Sequence, residues 1–335
     1  MKTISIMITS YNLEEFIGRA VESVVNQEMP CRWELLIGDD GSTDNTIGIV
    51  NSWIEKYPDN IKLYQWSREE THTMNGSRSA ANRARLLEKA IGDYLIYLDG
   101  DDCWLGTKKL KLQFELLEST EYSSCSCCGH NILKYVIDNK TGSNMVDSCY
   151  QQRIFTKREY YRHGMYIHTN TLLFRSSCKT IMLDLLNREF LNDLFITFLM
   201  LQCGSMLYLP ETYAQYNITG SGLWTGNNKV FGSFRNIQLY DLERYIDPQL
   251  EPFIFRGFCT NMEVILREYS KNDIIMIRPL VEGLDPNIFE YTHRFFEILD
   301  PTTDEAQFKK RVRCRIFWAK VNYRLFILKQ NLHLA

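Results

Sequence analysis

Three aspartates in four positions, Asp99, Asp101 and Asp102 of Leu98-Asp99-Gly100-Asp101-Asp102, stand where an apolar run ends. Carboxylates this close repel one another, and a cation between them relieves the repulsion. Carboxylate oxygens suit magnesium or manganese, which commonly bridge one or two carboxylates to phosphate oxygens. A solvated turn capping the next helix would use the same residues. Two more polar clusters, Thr9-Ser10-Tyr11-Asn12 and Asp39-Asp40-Gly41-Ser42, also follow apolar runs. Cys125, Cys127 and Cys128 are close together, but no second Cys-x-x-Cys or His pair follows at finger-like spacing, so they read as small buried side chains on a strand.

The elements that position these clusters are legible from periodicity. Ile4 to Thr9 reads as a buried strand, and Leu13, Phe16, Ile17, Ala20, Val21 and Val24 mark one face of a helix, with Asn12 as its N-cap and Glu15 completing a capping box. Glu34 to Gly38, Ile61 to Trp66 and Tyr94 to Leu98 are further strands. Between them lie helices marked by Ile47, Val50, Trp53 and Ile54, and by Ala80, Ala81, Ala84, Leu87 and Ile91. This alternation predicts an α/β fold, a mostly parallel central sheet covered by helices. Ligands of such sheets bind beyond the carboxyl ends of the strands, where all three polar clusters fall. Further on, Thr171 to Arg175, Met206 to Leu209 and Tyr213 to Ile218 read as strands and Asp193 to Cys203 as a helix. A Gly-rich stretch from Gly220 to Gly232 then precedes a mainly helical region. The expected domains are 1–228 and 229–335.

The order and spacing of Thr9-Ser10-Tyr11-Asn12, Asp39-Asp40-Gly41-Ser42-Thr43-Asp44, Asn82, Ala90-Ile91-Gly92-Asp93-Tyr94 and Asp99-Gly100-Asp101-Asp102 resemble the family-2 glycosyltransferases of the GT-A fold, a Rossmann-like architecture. The resemblance implies a sugar moved from a nucleoside-diphosphate donor, a UDP-sugar, to a glycan or lipid-linked glycan, with inversion and with Mn2+ or Mg2+ as cofactor. It implies a nucleotide pocket of Thr9, Tyr11 stacking on the base, Asp39 accepting from the base imide, Asp99 on the ribose and Glu14 at the rim. Asp101 would ligate the metal. The family usually places Arg beside Asn82; here that place is Ala81, which leaves Arg78 as the nearest preceding cation for a phosphate. Phe190-Leu191-Asn192-Asp193-Leu194 resembles the motif that carries the base, which makes Asp193 the expected catalytic residue, with Asn192 where the family commonly has Glu. His168, Thr169, Asn192 and Ser221 are the expected contacts to donor sugar or acceptor.

A chain of 335 residues with 45% apolar and 24% charged residues has the composition of an ordinary globular protein, and a net charge of −3 gives no general attraction to nucleic acid. The first residues lack a signal-peptide pattern, so a cytoplasmic location is expected, with the inner face of the membrane as a further possibility. From Phe308 to Ala335 there are eight Lys or Arg and no acid, and Phe308, Val312, Ile316, Ala319, Tyr323 and Phe326 form one helical stripe. That stripe either meets a membrane surface or packs on protein, in this chain or a second copy. Two rivals to a transferase are a nucleotide-sugar-binding scaffold, favoured by Asn192 and the loop near Ser221, and a sugar-nucleotide nucleotidyltransferase. The latter needs a Gly-rich, basic loop after the first strand, which Thr9 to Glu14 does not provide.

Overall fold

The structure is a computed structural model that describes residues 1–67, 77–146, 150–184, 192–219, 229–299, 302 and 304–332. The first hundred residues alternate strand and helix: β1 (Thr3–Ser10), α1 (Ile17–Val25), β2 (Arg32–Asp39), α2 (Thr46–Lys56), β3 (Ile61–Gln65), α3 (Ser77–Lys89) and β4 (Tyr94–Asp99). Then come β5 (Cys103–Trp104), α4 (Lys109–Glu118), β6 (Cys125–Val136), β7 (Thr141–Asn144), β8 (Arg153–Phe155), α5 (Lys157–His163), β9 (Leu173–Arg175), α6 (Ser177–Asp184), α7 (Asp193–Cys203) and β10 (Ser205–Ile218). The remainder is helical: α8 (Lys229–Ile246), α9 (Glu251–Glu268), α10 (Lys271–Val281), α11 (Glu290–Ile298) and α12 (Glu305–Leu332).

The strands form one sheet in the order β3-β2-β1-β4-β9-β6-β10-β5, with β7 on β6 and β8 on β10. β1, β2, β3 and β4 are mutually parallel; β9 runs against β4 and β6, and β10 is parallel to β6. Helices cover both faces, so β1 is apolar nearly throughout, with Ile4, Ile6, Met7 and Ile8 all buried, and shows no polar alternation. Its one interior polar residue, Ser5, donates to Glu34 at 2.6 Å and accepts from the Gly92 amide, which satisfies both groups. Met206 to Leu209 and Tyr213 to Ile218, expected as separate strands, belong to one strand with a register shift around Pro210, which cannot donate to the ladder. The expected strand from Thr171 is shorter, because His168 caps a turn of 3-10 helix at Thr169–Thr171. Cys125, Cys127 and Cys128 are buried on β6.

Asn12 does not cap α1, contrary to the expectation. It sits at φ 50°, its side chain accepts from Thr43 of the neighbouring loop, and α1 begins after Phe16 without a side-chain cap.

The chain divides into two compact units, one of residues 1–157 with 165–219 and the other of 158–164 with 220–335. The boundary expected near residue 228 lies outside the described residues. The second unit has its own core of Val230, Phe234, Phe258, Met262, Ile277, Phe295, Phe308 and Val312, among others. Of the C-terminal stripe, Phe308, Val312, Ile316 and Ala319 are buried, and Phe308 stacks on Tyr269 at 4.2 Å. The stripe therefore packs on protein within its own unit; the Phe326 side chain lies outside the description.

Phe308→Ala is expected to destabilise the protein by about 3–5 kcal/mol, as loss of a buried aromatic does. Phe317→Ala, at a position 60% exposed on the same helix, should stay within about 0.5 kcal/mol of the parent. Denaturant melts of the two variants check this; equal losses would mean that α12 is rotated from the orientation described.

Candidate active site

Parallel pairing in register brings the polar clusters side by side. Thr9 lies opposite Gly38 and Asp99, Ser10 opposite Asp39, and Asp39 opposite Gln65. The loops after β1 and β2 are then locked together. The Asn12 amide donates to Ser42 Oγ at 2.8 Å and Leu13 to Thr46 Oγ1 at 2.7 Å, while Glu14 donates to Asp44 and accepts from the Asn45 amide at 2.8 Å. Asp39 anchors the second loop. It is buried, and it accepts from the Gly41 amide at 3.1 Å, the Ser42 amide at 2.7 Å and the Ser10 and Ser42 hydroxyls. Gly41, at φ 79°, supplies the left-handed turn that makes this possible. Tyr11 is 40% exposed at the end of β1, and Glu14 is exposed beside it. Arg78 lies 3.6 Å from Asp40.

The acidic turn after β4 is held as closely. The Gly100 amide donates to Thr9 O at 3.0 Å, and a Cβ at residue 100 would come within 2.8 Å of that same oxygen, so only glycine fits. Thr9 Oγ1 donates to Asp99 at 3.2 Å. Asn170, fully buried before β9, accepts from the Asp99 amide at 3.1 Å and donates to Asp102, while its own carbonyl accepts from the Trp104 indole at 3.0 Å. Asp102 is buried and also accepts from the Asn217 amide at 2.7 Å; Asn217 Nδ2 donates to the carbonyl of Asp101 at 2.6 Å.

Arg83 stands at the centre. Its Nη2 donates to Asp99 at 2.7 Å and its Nη1 to Asp193 at 3.2 Å, with only 9% of its side chain exposed. Asp193 is the first residue of α7, while Asn192 is the N-cap and accepts from the Phe195 amide at 3.1 Å. Because Asn192 caps the helix, the Asp193 carboxylate faces other partners. Tyr166 donates to it at 3.0 Å, Thr169 Oγ1 donates to it, and His168 Nε2 lies at 3.6 Å.

The electrostatics differ sharply across this small region. Burial works to raise Asp193, but His168, Arg83 and the Thr169 and Tyr166 hydroxyls outweigh it and hold the carboxyl below its ordinary 3.8. Burial also works against the charge on Arg83, and Asp99 and Asp193 more than restore it. Asp101 is pushed up to about 7 by burial and by Asp99, and Asp102 is pushed well above its ordinary value by burial, Asp101 and Asp99. Ligand atoms of Asp99, Asp102 and His168 lie within 4.8 Å of one another, which makes this the cluster that could hold a metal among the described residues. Two carboxylates and an imidazole, beside a third carboxylate that burial discourages from ionising, fit a divalent cation.

The sequence-expected residues Thr9, Asp99, Asp101, His168, Thr169 and Asp193 are thus brought together around one strand end. Tyr11, Glu14, Asp39 and Arg78 belong to the adjoining loops, Asn192 serves as a cap, and Ser221 lies outside the described residues. Sequence reasoning missed Arg83, Asn170, Tyr166 and Asn217. Arg83 had a visible signal, since it follows Asn82 in a helix whose Ala80, Ala84 and Leu87 face the core. Asn170 lies in the polar run His168-Thr169-Asn170-Thr171 directly before a strand, and all four residues are buried.

Arg83→Met is expected to cost about 3 kcal/mol at neutral pH, because it leaves two mostly buried carboxylates without their shared cation. The sign of the pH dependence follows from Asp193. A depressed carboxyl contributes stability above its unfolded value, near 3.8, and loses it as pH falls through the folded value. The difference between variant and parent should therefore be full at pH 7 and shrink below about pH 4. Urea melts across that range read it; a difference independent of pH would remove the ion pair from the explanation.

The chain is similar to known proteins. The family model for Glycosyl transferase family 2 matches residues 5–182. TuaG of Bacillus subtilis (strain 168), named as a glycosyltransferase of teichuronic acid biosynthesis, is 26% identical over 248 residues, which are 70% of this chain and 88% of TuaG. EpsE of the same organism, named as a glycosyltransferase, is 29% identical over 174 residues, 52% of this chain and 56% of EpsE. The crystal structure of S. aureus TarS 1–349 in complex with UDP-GlcNAc superposes with a TM-score of 0.61 at 18% identity, covering 97% of this chain and 90% of that one, which shows a shared fold. The model spans more than half the chain, and the chain accordingly belongs to glycosyltransferase family 2, a family of sugar-transferring enzymes, with the GT-A fold.

Proposed function

We propose that this protein transfers a glycosyl unit from a UDP-sugar to a hydroxyl of a glycan or lipid-linked glycan in the assembly of a surface polysaccharide, with inversion at the anomeric carbon. The observation that carries the reading is Arg83, which ties Asp193 to the carboxylate end of β4 and so places a candidate base and a candidate diphosphate site on two sides of one cation. The first compact unit is the proposed catalytic domain, and the helical unit from about residue 229 is its appendage. The relative TuaG, by its name, supports a polysaccharide acceptor. The TarS complex supports a UDP-sugar donor.

In this reading the locked loops after β1 and β2 receive the nucleotide, with Tyr11 against the base and Asp99 on the ribose. Asp101, beside the cluster of Asp99, Asp102 and His168, would hold Mn2+ or Mg2+, which when bound offsets charge on the departing diphosphate. Asp102 has both oxygens engaged by Asn217 and Asn170 and serves to anchor the turn. Asp193 accepts the proton of the acceptor hydroxyl as that oxygen attacks the anomeric carbon. Attack from the face opposite the leaving group makes the displacement single and the outcome inverted. Arg83, Tyr166 and Thr169 keep the Asp193 carboxylate oriented until the proton arrives.

Asp193→Asn should lower kcat by about 10²–10⁴-fold while leaving UDP binding unchanged. Proton NMR of the product of a panel of UDP-sugars with manganese reads both turnover and anomeric configuration. Retention of configuration, or an unimpaired variant, would sink the mechanism. Nucleotide binding without turnover in the parent would favour the scaffold reading.

Manganese binding should weaken as pH falls through about 7, because the Asp101 carboxyl takes up a proton there. Metal titrations followed by electron paramagnetic resonance with Asp101→Asn as the comparison test the assignment; an unchanged pH dependence in the variant would move the ligand role elsewhere.

A further inference from the structure

We infer that the outward face of α12 is a docking surface for an anionic lipid bilayer. Helix α12 carries two apolar stripes. Phe308, Val312, Ile316 and Ala319 are buried in the helical unit. At 3.6 residues per turn, Cys314, Phe317, Trp318, Val321, Leu325 and Leu328 follow the spacing of a second stripe on the opposite side. There Phe317 is 60% exposed, Trp318 62%, Leu325 51% and Leu328 57%, which are unusual exposures for such large apolar side chains on a single face. Phe317 and Trp318 meet edge to face at 5.7 Å, which forms a compact aromatic pair at the surface.

The charge around this stripe selects the partner. Arg313, Lys320 and Arg324 flank it on one side, Arg311 borders it on the other and Lys310 stands at its N-terminal end, and all five are exposed. Lys320 is shared with Glu263 at 3.0 Å. No acidic residue occurs from Ala306 to Ala335. Exposed aromatic and leucine side chains rimmed by cations match an interfacial helix, whose apolar face enters the headgroup boundary while Lys and Arg meet anionic lipid. A tryptophan with one wet and one apolar edge suits that boundary. No helix among the described residues is long and apolar enough to cross a membrane, so the contact is peripheral. The inference stands apart from the transfer reaction, since none of these residues belongs to the site after β4.

Removing residues 308–335 would strip Phe308, Val312 and Ile316 from the core, so the test uses full-length protein with exposed substitutions only. It compares sedimentation with vesicles of equal parts phosphatidylglycerol and phosphatidylcholine against vesicles of phosphatidylcholine alone. The parent should pellet with the anionic vesicles and not with the neutral ones, and less so as salt is raised. Joint replacement of Phe317, Trp318, Leu325 and Leu328 by Ser should lower partitioning at least about tenfold at unchanged melting temperature. Arg313→Glu with Arg324→Glu should lower binding to the anionic vesicles only. Undiminished pelleting of the serine variant, or no pelleting of the parent, overturns the inference. A parent that dimerises without lipid, fails to bind vesicles and becomes monomeric on serine substitution overturns it in favour of a second copy of this chain.

Discussion

One buried guanidinium holds the site together. Arg83 lies between Asp99 at the end of β4 and Asp193 at the start of α7, residues 94 positions apart on a strand and a helix. Without a shared cation, Asp99, Asp101, Asp102 and Asp193 would be four carboxylates competing for the same low-dielectric space. Removing one member of such an arrangement is expensive because the others stay buried. The remaining excess of negative charge is visible in Asp101, pushed up by burial and Asp99, and in Asp102, pushed up by burial, Asp101 and Asp99. A region with one fixed cation and several reluctant carboxylates suits the second, exchangeable cation proposed for it.

The rest of the first unit makes that charge pattern affordable. β1 contributes no catalytic group of its own, yet its terminal carbonyl and hydroxyl at Thr9 fix Gly100 and Asp99. Its following loop is stitched to that of β2 by side-chain bonds at nearly every residue from Asn12 to Glu14. Asn170 and Asn217 then hold the acidic turn from the other side, Asn170 through both ends of its side-chain amide and Asn217 through its backbone amide and side chain. Rigid first neighbours of this kind keep polar groups within the narrow tolerance that catalysis requires.

The first four strands were legible because a parallel sheet buried on both faces writes itself as short apolar runs. The polar clusters were legible for the same reason, since they interrupt those runs at the strand ends. The failures have local causes. Asn12 looked like a cap because its position and Glu15 fit the pattern, but the chain turns through φ 50° there and the helix starts four residues later. The expected cation lay before Asn82, but the helix turns the residue after it, Arg83, toward Asp99 and Asp193. The anchoring of Asp39 could not be read from sequence, because nothing in Asp39-Asp40-Gly41-Ser42 tells that its oxygens accept from Gly41, Ser42 and Ser10. In the tail, periodicity found a genuine apolar face, but periodicity alone does not say whether such a face meets protein or solvent. Only the packing of Phe308 and Val312 decided it, and it drew attention to the second stripe.

The depressed carboxyl of Asp193 bears on how the proposed reaction would proceed. A base whose conjugate acid lies below the ordinary carboxylate range cannot remove a proton from a free sugar hydroxyl, which is many units less acidic. It can accept one as the new bond to the anomeric carbon forms, when positive charge develops on the attacking oxygen and its proton becomes strongly acidic. The partners of Asp193 suit that late transfer: Tyr166 and Thr169 fix where the carboxylate points, and Arg83 and His168 keep it ionised until then. The same cation that lowers the basicity of Asp193 ties it to Asp99. Orientation of the base and organisation of the diphosphate side therefore depend on one residue, and a change at Arg83 acts on both at once.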